Sequence, residues 1–415
     1  MPRPVLVLVL LLTLACGGGT TDPAPPPAPP PAPPPPPPPP PAPASITVAA
    51  GNQQLAAAGT ALVIEPSVVV RAGSGQPLAG AAVQFTVTTG GGWVADATVV
   101  TGADGRAATA WYLGPAPAVP QALTASVATH SVGFTATAAP LVPGTTYLGR
   151  NGYIQFIAGD GPIILSAPHG GALVPAEIPD RTVGTIVTDS NTDPFARAIA
   201  AAILAESGRR PHLVIARLRR TKLDANREVI EAAAGNPAAI RAWNEYHGFL
   251  DAAKAAATAA WPNPFYIDIH GHGHAVQRLE WGYLLSAADL ARTDAELNAG
   301  AFAAQSSVRS LAAISGMPFA DLLRGPASLG GRFEAEGYPS VPSPTRLSPG
   351  TDPYFNGGYS TARHGSLAGG PVNAVQLEAY FGGVRDTEMN RLAFAAAAAR
   401  VLAGWGGMQT VSGKR

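Results

Sequence analysis

Between Asp22 and Pro43 almost every residue is proline or alanine. Proline lacks a backbone N–H and fixes φ, so such a run can enter neither a helix interior nor a sheet. It extends instead as polyproline II at ~3.1 Å per residue. The chain must therefore fold after a stiff spacer, placed at residues 17–43. Most of the excess among its 43 prolines in 415 residues lies in that block.

Ahead of the spacer, Arg3 and the apolar stretch Val5–Leu14 have the form of an export signal, too short to span a bilayer stably. The stretch ends Leu12-Thr13-Leu14-Ala15-Cys16, which resembles a bacterial lipobox with Leu14 where a small residue is usual. Cys16 is the only cysteine in the chain. A signal over residues 1–16 with lipidation at Cys16 is expected, and with it a lipid-anchored protein of the bacterial cell envelope. A single cysteine also rules out an internal disulfide. The formal net charge is zero and only 13% of residues are charged, so nothing electrostatic points to nucleic acid as a partner.

Over residues 44–140 the texture changes to short, β-branched, alternating runs such as Ala82–Val87 and Val132–Thr137. Alternation of period two with turn residues every 8–12 positions or so predicts an antiparallel sandwich. Ala103-Asp104-Gly105-Arg106 predicts a tight hairpin turn, because Asp-Gly tolerates positive φ. The runs Pro77–Phe85, Thr101–Ala107 and Phe134–Thr137 resemble the bacterial immunoglobulin-like repeats of invasin-type surface proteins. The module carries no cluster of titratable groups. It reads as a spacer or docking domain, with a cell-surface ligand as the alternative.

Over residues 147–410 strands alternate with Ala-rich helices, the pattern of an α/β domain. The run Tyr266–His274 reads as a central strand that carries Asp268 and opens into His270, His272 and His274, spaced by glycines. Three of the chain's eight histidines thus fall within five residues. Imidazole is the commonest metal ligand, and Asp268 could stand behind His270 to fix its tautomer. A second apolar strand, Ile163–Ala167, ends in Pro168-His169-Gly170-Gly171. Asp189 and Asp193 lie just before or at the start of a helix, where Asp193 could be a ligand or an N-cap. Arg217–Arg227 is the densest basic stretch and interleaves Asp224 and Asn226 with guanidinium groups suited to gripping a carboxylate. The strand Asn373–Glu378 ends in a glutamate, after a glycine-rich loop bearing Arg363 and His364. Two strand-end histidines, an acidic third ligand and a separate glutamate match a catalytic zinc site with one position open to water.

Pro168–Gly171, Thr192-Asp193, Arg220 with Leu223–Arg227, Tyr246-His247-Gly248, Asp268–His270, Gly357-Gly358 and Ala374–Glu378 occur in the order seen in N-formylglutamate amidohydrolases. The resemblance covers nearly all of Tyr147–Gly404. It implies a three-layer α/β domain with a mixed sheet, like that of the zinc carboxypeptidases. It further implies His169 and His270 as Zn2+ ligands with Asp193 as the third, Asp189 and Glu177 being the alternatives. Glu378 would be the general base and proton shuttle. Arg220, Asn226, Arg227 and, in the shifted Gly-Gly loop, Arg363 would meet a substrate carboxylate or the scissile carbonyl. The chain departs from the family at His272 and His274, where a serine-containing turn is usual.

The leading expectation is an exported, lipid-anchored zinc amidohydrolase that cleaves an N-acyl amino acid or small peptide bearing a free carboxylate. A zinc carboxypeptidase acting on short or cell-wall peptides is the alternative within that class. A surface binding protein with an inactive hydrolase domain is the alternative outside it.

Overall fold

The structure is a computed structural model and describes residues 41–403. The signal, Cys16, the spacer up to residue 40 and the chain beyond residue 403 lie outside the described residues.

The protein is multidomain and rich in strands. Its first folded part is a β-sandwich. One sheet joins Pro43–Ala50, Ser67–Ala72 and Arg106–Ala108. The other joins Gln54–Ala57, His130–Ala139, Pro120–Val127, Ala82–Thr89 and Thr98–Val100. Alternation along Pro120–Val127 turns Gln121, Leu123, Ala125 and Val127 inward. Ile46, Val68 and Val70 from one sheet meet Phe85, Leu123 and Phe134 from the other in a single apolar core, which also takes in Trp111.

The expected tight turn at Asp104-Gly105 is present, but the strands beyond it do not pair with each other. The turn exists: Gly105 has φ 71°, and Asp104 Oδ1 accepts the Arg106 N–H at 3.0 Å. Yet the strands on either side, Thr98–Val100 and Arg106–Ala108, belong to opposite sheets. The turn is closed locally, with the Gly102 N–H donating to the Arg106 carbonyl at 3.0 Å, and beyond it the chain crosses from one sheet to the other. Asp-Gly specifies the backbone angles of a turn but not what its arms hydrogen-bond to.

The second part is built on an eight-stranded mixed sheet. Its order is Thr146–Leu148, Ile154–Ile157, His212–Ala216, Ile163–Ala167, Phe265–Gly271, Asn373–Ala379, Leu279–Gly282, Ser340–Val341. The four strands from His212–Ala216 to Asn373–Ala379 run parallel, and the strands flanking that group run antiparallel to it. The four are covered on both faces, which is why they read as nearly continuous apolar runs.

On one face, Leu165, Ile267, Ile269 and Leu377 pack against Phe195 and Ile199 of helix Thr192–Ser207 and Phe394 of helix Glu388–Ala403. On the other, Ile164, Tyr266 and Ala374 pack against Trp243, Tyr246 and Leu250 of helix Pro237–Ala260. That helix has Pro237 at its first position, and the Asn236 side chain accepts the N–H groups of Ala238 and Ala239, both at 3.0 Å. Side chains two apart on a strand share a face. Asp268 and His270 therefore lie on the side of Tyr266, and Gln376 and Glu378 on the side of Ala374. In register, Ser166, Asp268 and Gln376 form one row across the strands, and His270, Glu378 and Glu280 form the next. A polar band thus crosses an otherwise apolar sheet at the carboxyl ends of its parallel strands, where sites form in open α/β sheets.

The two parts meet at a buried hydrogen bond. Tyr112, stacked on Trp93 with ring centroids 3.8 Å apart, donates its hydroxyl to Glu245 Oε1 at 2.6 Å. The Arg150 N–H donates to the same oxygen at 2.8 Å.

Candidate metal centre

Strand Ile163–Ala167 delivers His169 just past its end, and strand Phe265–Gly271 delivers His270 on its last turn of pleat. Both imidazoles are buried. Their Nδ1 atoms face each other at 3.0 Å, and Asp189 Oδ2 lies 3.3 Å from each. The opposite nitrogens are backed by carboxylates: His169 Nε2 meets Asp224 Oδ1 at 2.6 Å, and His270 Nε2 meets Asp268 Oδ2 at 2.9 Å. A carboxylate accepts only, so each Nε2 carries a proton, and each Nδ1 is the nitrogen that would turn a lone pair to a metal. Two imidazole nitrogens and a carboxylate oxygen thus converge on one point.

Burial by itself would raise the Asp189, Asp224 and Asp268 carboxyls. The imidazole of His169 or His270 beside each outweighs it and holds all three below the usual carboxylate range. Burial opposes charge on His270, yet Asp268 and Asp189 lift its pKa well above the ordinary value. Without a metal, a proton on His270 offsets this negative charge. A tetrahedral zinc ion with bonds of about 2.0–2.2 Å has donor–donor edges close to those seen here, so His169, Asp189 and His270 fit the ion.

The expectation of Asp193 as third ligand is corrected. Asp193 sits inside the first turn of helix Thr192–Ser207, and its carboxylate pairs with Arg197 Nε at 2.6 Å. It does not cap that helix either; Asn191 holds the cap position. Asp189 faces the histidines because the turn before the helix is tied back: the Asp189 N–H donates to the His169 carbonyl at 3.2 Å, and Thr192 Oγ1 donates to the Asp189 carbonyl at 2.9 Å. Glu177 lies elsewhere, accepting from the Tyr153 hydroxyl.

A cavity of about 130 Å³ opens beside the three donors, lined also by Arg220, Asn226, Arg227, Phe355, Gly358 and Glu378. Burial pushes the Glu378 carboxyl up to about 8, with His270 opposing and Asp189 and Glu280 adding to the rise. Gln376 Nε2 donates to Glu378 at 2.9 Å and orients it. Asn226 Nδ2 donates to Gln376 at 3.3 Å, and its Oδ1 accepts the Ser360 N–H at 2.8 Å.

Arg220 borders the cavity, but its Nε holds Asp224 at 2.9 Å and its Nη1 holds Asp189 at 3.3 Å. Its guanidinium thus clamps the carboxylates around the imidazoles, a different task from the expected grip on substrate. Arg227 keeps a more open place, with Nε 3.4 Å from Glu231 on the cavity rim. The expectation for Arg363 is corrected: it pairs with Asp251 at 3.5 Å and lies over the Trp243 ring at 5.4 Å, away from the cavity. Its helix, Tyr359–His364, turns that residue toward helix Pro237–Ala260.

Three positioning roles were not legible in the sequence. Arg385 donates Nε to the Ala379 carbonyl at 2.9 Å and Nη1 to the Ser190 carbonyl, which pins the Asp189 turn to a strand end. A Cβ on Gly271 would collide with that guanidinium, so the glycine there is a steric requirement. His247 donates Nε2–H to the Ala225 carbonyl at 3.1 Å, between Asp224 and Asn226, and burial holds its pKa well below the ordinary value. Gln376 is the third. The one available signal was the alternation of polar residues in Asp224-Ala225-Asn226 and Gln376-Leu377-Glu378.

No protein-family model and no curated protein matches the chain. Among solved structures, it is similar to domains 4 and 5 of the S-layer protein SbsC at 17% identity, over 24% of this chain and 53% of that one, with a TM-score of 0.20. It is similar to the gene product Atu2144 from Agrobacterium tumefaciens at 16% identity, over 60% of this chain and 94% of that one, with a TM-score of 0.32. The D00-D0 domain of intimin matches at 21% identity over 24% of this chain and 46% of that one, with a TM-score of 0.19. The chain thus spans about half the length of the SbsC and intimin fragments. Likenesses this partial carry no argument about activity.

Proposed function

We propose that the α/β domain is a zinc-dependent amidohydrolase acting on a small N-acyl amino acid, in a protein exported and held to the cell envelope through a lipid on Cys16. The observation that carries the hydrolase reading is the convergence of His169 Nδ1, His270 Nδ1 and Asp189 Oδ2, each imidazole backed by a buried carboxylate, beside the buried Glu378. Zinc held there would polarise a carbonyl and lower the pKa of a water molecule.

The remaining chemistry belongs to the chain. Glu378 takes the proton of the attacking water and returns it to the departing amine, a task for which a buried carboxylate bordering the cavity is suited. Gln376 holds Glu378 in line. Asp224 and Asp268 keep both imidazoles in the ligating tautomer. Asn226 and Arg227, on the cavity wall, receive the substrate carboxylate. A cavity of about 130 Å³ is small beside the roughly 300–1,000 Å³ of drug-sized ligand sites. Its size favours a single acylated amino acid over the extended peptide that a carboxypeptidase would take.

The test is zinc content and turnover of N-acyl amino acids by the purified full chain, beside His270→Ala. Zinc and turnover that disappear together in the variant are expected. Folded protein that hydrolyses these substrates equally well after His270→Ala would overturn the reading.

A further inference from the structure

The centre above uses one of the three histidines in the Asp268–His274 run. The other two turn toward a different carboxylate. Glu280 is wholly buried on strand Leu279–Gly282, and its Oε1 lies 2.9 Å from His274 Nδ1. His272 donates Nε2–H to the Arg278 carbonyl at 2.8 Å, which leaves its lone pair on Nδ1. One nitrogen from each ring and one Glu280 oxygen all lie within 4.8 Å of one another. The other Glu280 oxygen accepts the Phe355 N–H at 2.9 Å, so the carboxylate is held in place.

We propose that His272, His274 and Glu280 form a second site for a divalent transition metal, sharing no ligand with His169, Asp189 and His270. Two imidazoles and a carboxylate, with a carbonyl behind one ring and an amide behind the carboxylate, have the composition and backing of a zinc-type site. Without a cation the same atoms form a hydrogen-bonded cluster, in which the His274 N–H reaches His272 Nδ1 at 3.1 Å. A cation takes the place of that bond and of the proton between His274 and Glu280. The nearby guanidinium of Arg278, with Nε 3.8 Å from Glu280, has its charge met by Asp352 at 2.9 Å from Nη1. Nitrogen donors select zinc, nickel or copper over magnesium and calcium. The site also has a structural consequence for the cavity. His274 stacks on Phe355, with ring centroids 4.8 Å apart, and Phe355 lines the cavity wall. A metal here fixes that wall.

The experiment is metal stoichiometry of the full chain, stripped with chelator, reloaded with Zn2+ and freed of excess by gel filtration. Two zinc ions per chain are expected, falling to one in His274→Ala, to one in His270→Ala and to none in the double variant. Wild-type zinc content retained in His274→Ala overturns the proposal, as does a single ion lost in both single variants. One ion kept in His270→Ala but lost in His274→Ala supports this site and sinks the first. Should His274→Ala not fold, anomalous diffraction at the zinc edge from wild-type crystals decides. A peak among His272, His274 and Glu280 is expected, and a peak at the first centre alone overturns the proposal.

Discussion

The two folded parts solve burial in opposite ways. The sandwich turns apolar side chains inward around Ile46, Val68, Phe85, Trp111, Leu123 and Phe134, and the polar side chains it buries, such as Thr101, Thr109 and Gln121, are uncharged. The α/β domain buries titratable groups: Asp268, His270, Glu280 and Glu378 on its sheet, and Asp224 on a loop, are each at most 5% exposed. A buried charge is costly unless paired, and breaking one pair costs roughly 3–5 kcal/mol. A fold that only needed stability would fill those positions with aliphatic residues. The sandwich therefore looks like scaffold in its own residues, and the polar band like a site.

The sharpest way to break that comparison is Glu378→Gln. It keeps the shape and the hydrogen bond to Gln376 but removes the proposed proton carrier, so turnover should fall by about 10²–10⁴-fold while zinc content stays at the wild-type level. Loss of zinc along with activity would make Glu378 a structural residue instead. In the sandwich, Trp111→Ala should cost roughly 3–5 kcal/mol in denaturant unfolding through lost burial and the cavity left behind. The zinc content of the folded variant should not change. A drop would show that the sandwich supports the site directly.

Acidification should separate the parts further. His212, buried on a central strand of the mixed sheet, accepts the Gly159 N–H through Nδ1, and burial lowers its pKa from 6.5 to about 4. A depressed folded pKa means that stability is full above the unfolded value and declines as pH falls through the window from about 6.5 to about 4. The contribution at stake is on the order of 3 kcal/mol. Unfolding followed across that window should show the decline in the wild type and a flatter profile in His212→Asn. The smallest expected effect is at the junction. Tyr112→Phe removes one of two donors to the buried Glu245 and should cost about 1–3 kcal/mol, read from the unfolding midpoint. No change would mean that the junction is held by packing alone.

Much of the site was legible in the sequence because strands impose a period of two. Asp268 and His270, and likewise Gln376 and Glu378, had to share a face, whatever the rest of the chain did. The runs Ile163–Ala167 and Phe265–Ile269 read as central strands because their residues are mostly apolar on both faces. The succession of alternating module and strand-helix region was equally plain from composition.

Other assignments depended on directions that no local pattern encodes. Asp189 and Asp193 are four residues apart with the same chemistry. One faces two imidazoles and the other an arginine, because the turn before the helix is anchored by Arg385, 195 residues away from Ser190 in sequence. The same holds for Arg220, drawn onto two carboxylates, and Arg363, drawn onto Asp251 and Trp243. Sequence determined which groups would be buried and on which faces of the strands. Only the tertiary structure decided which of them meet, since a long side chain on a turn or helix takes its direction from partners distant in the chain.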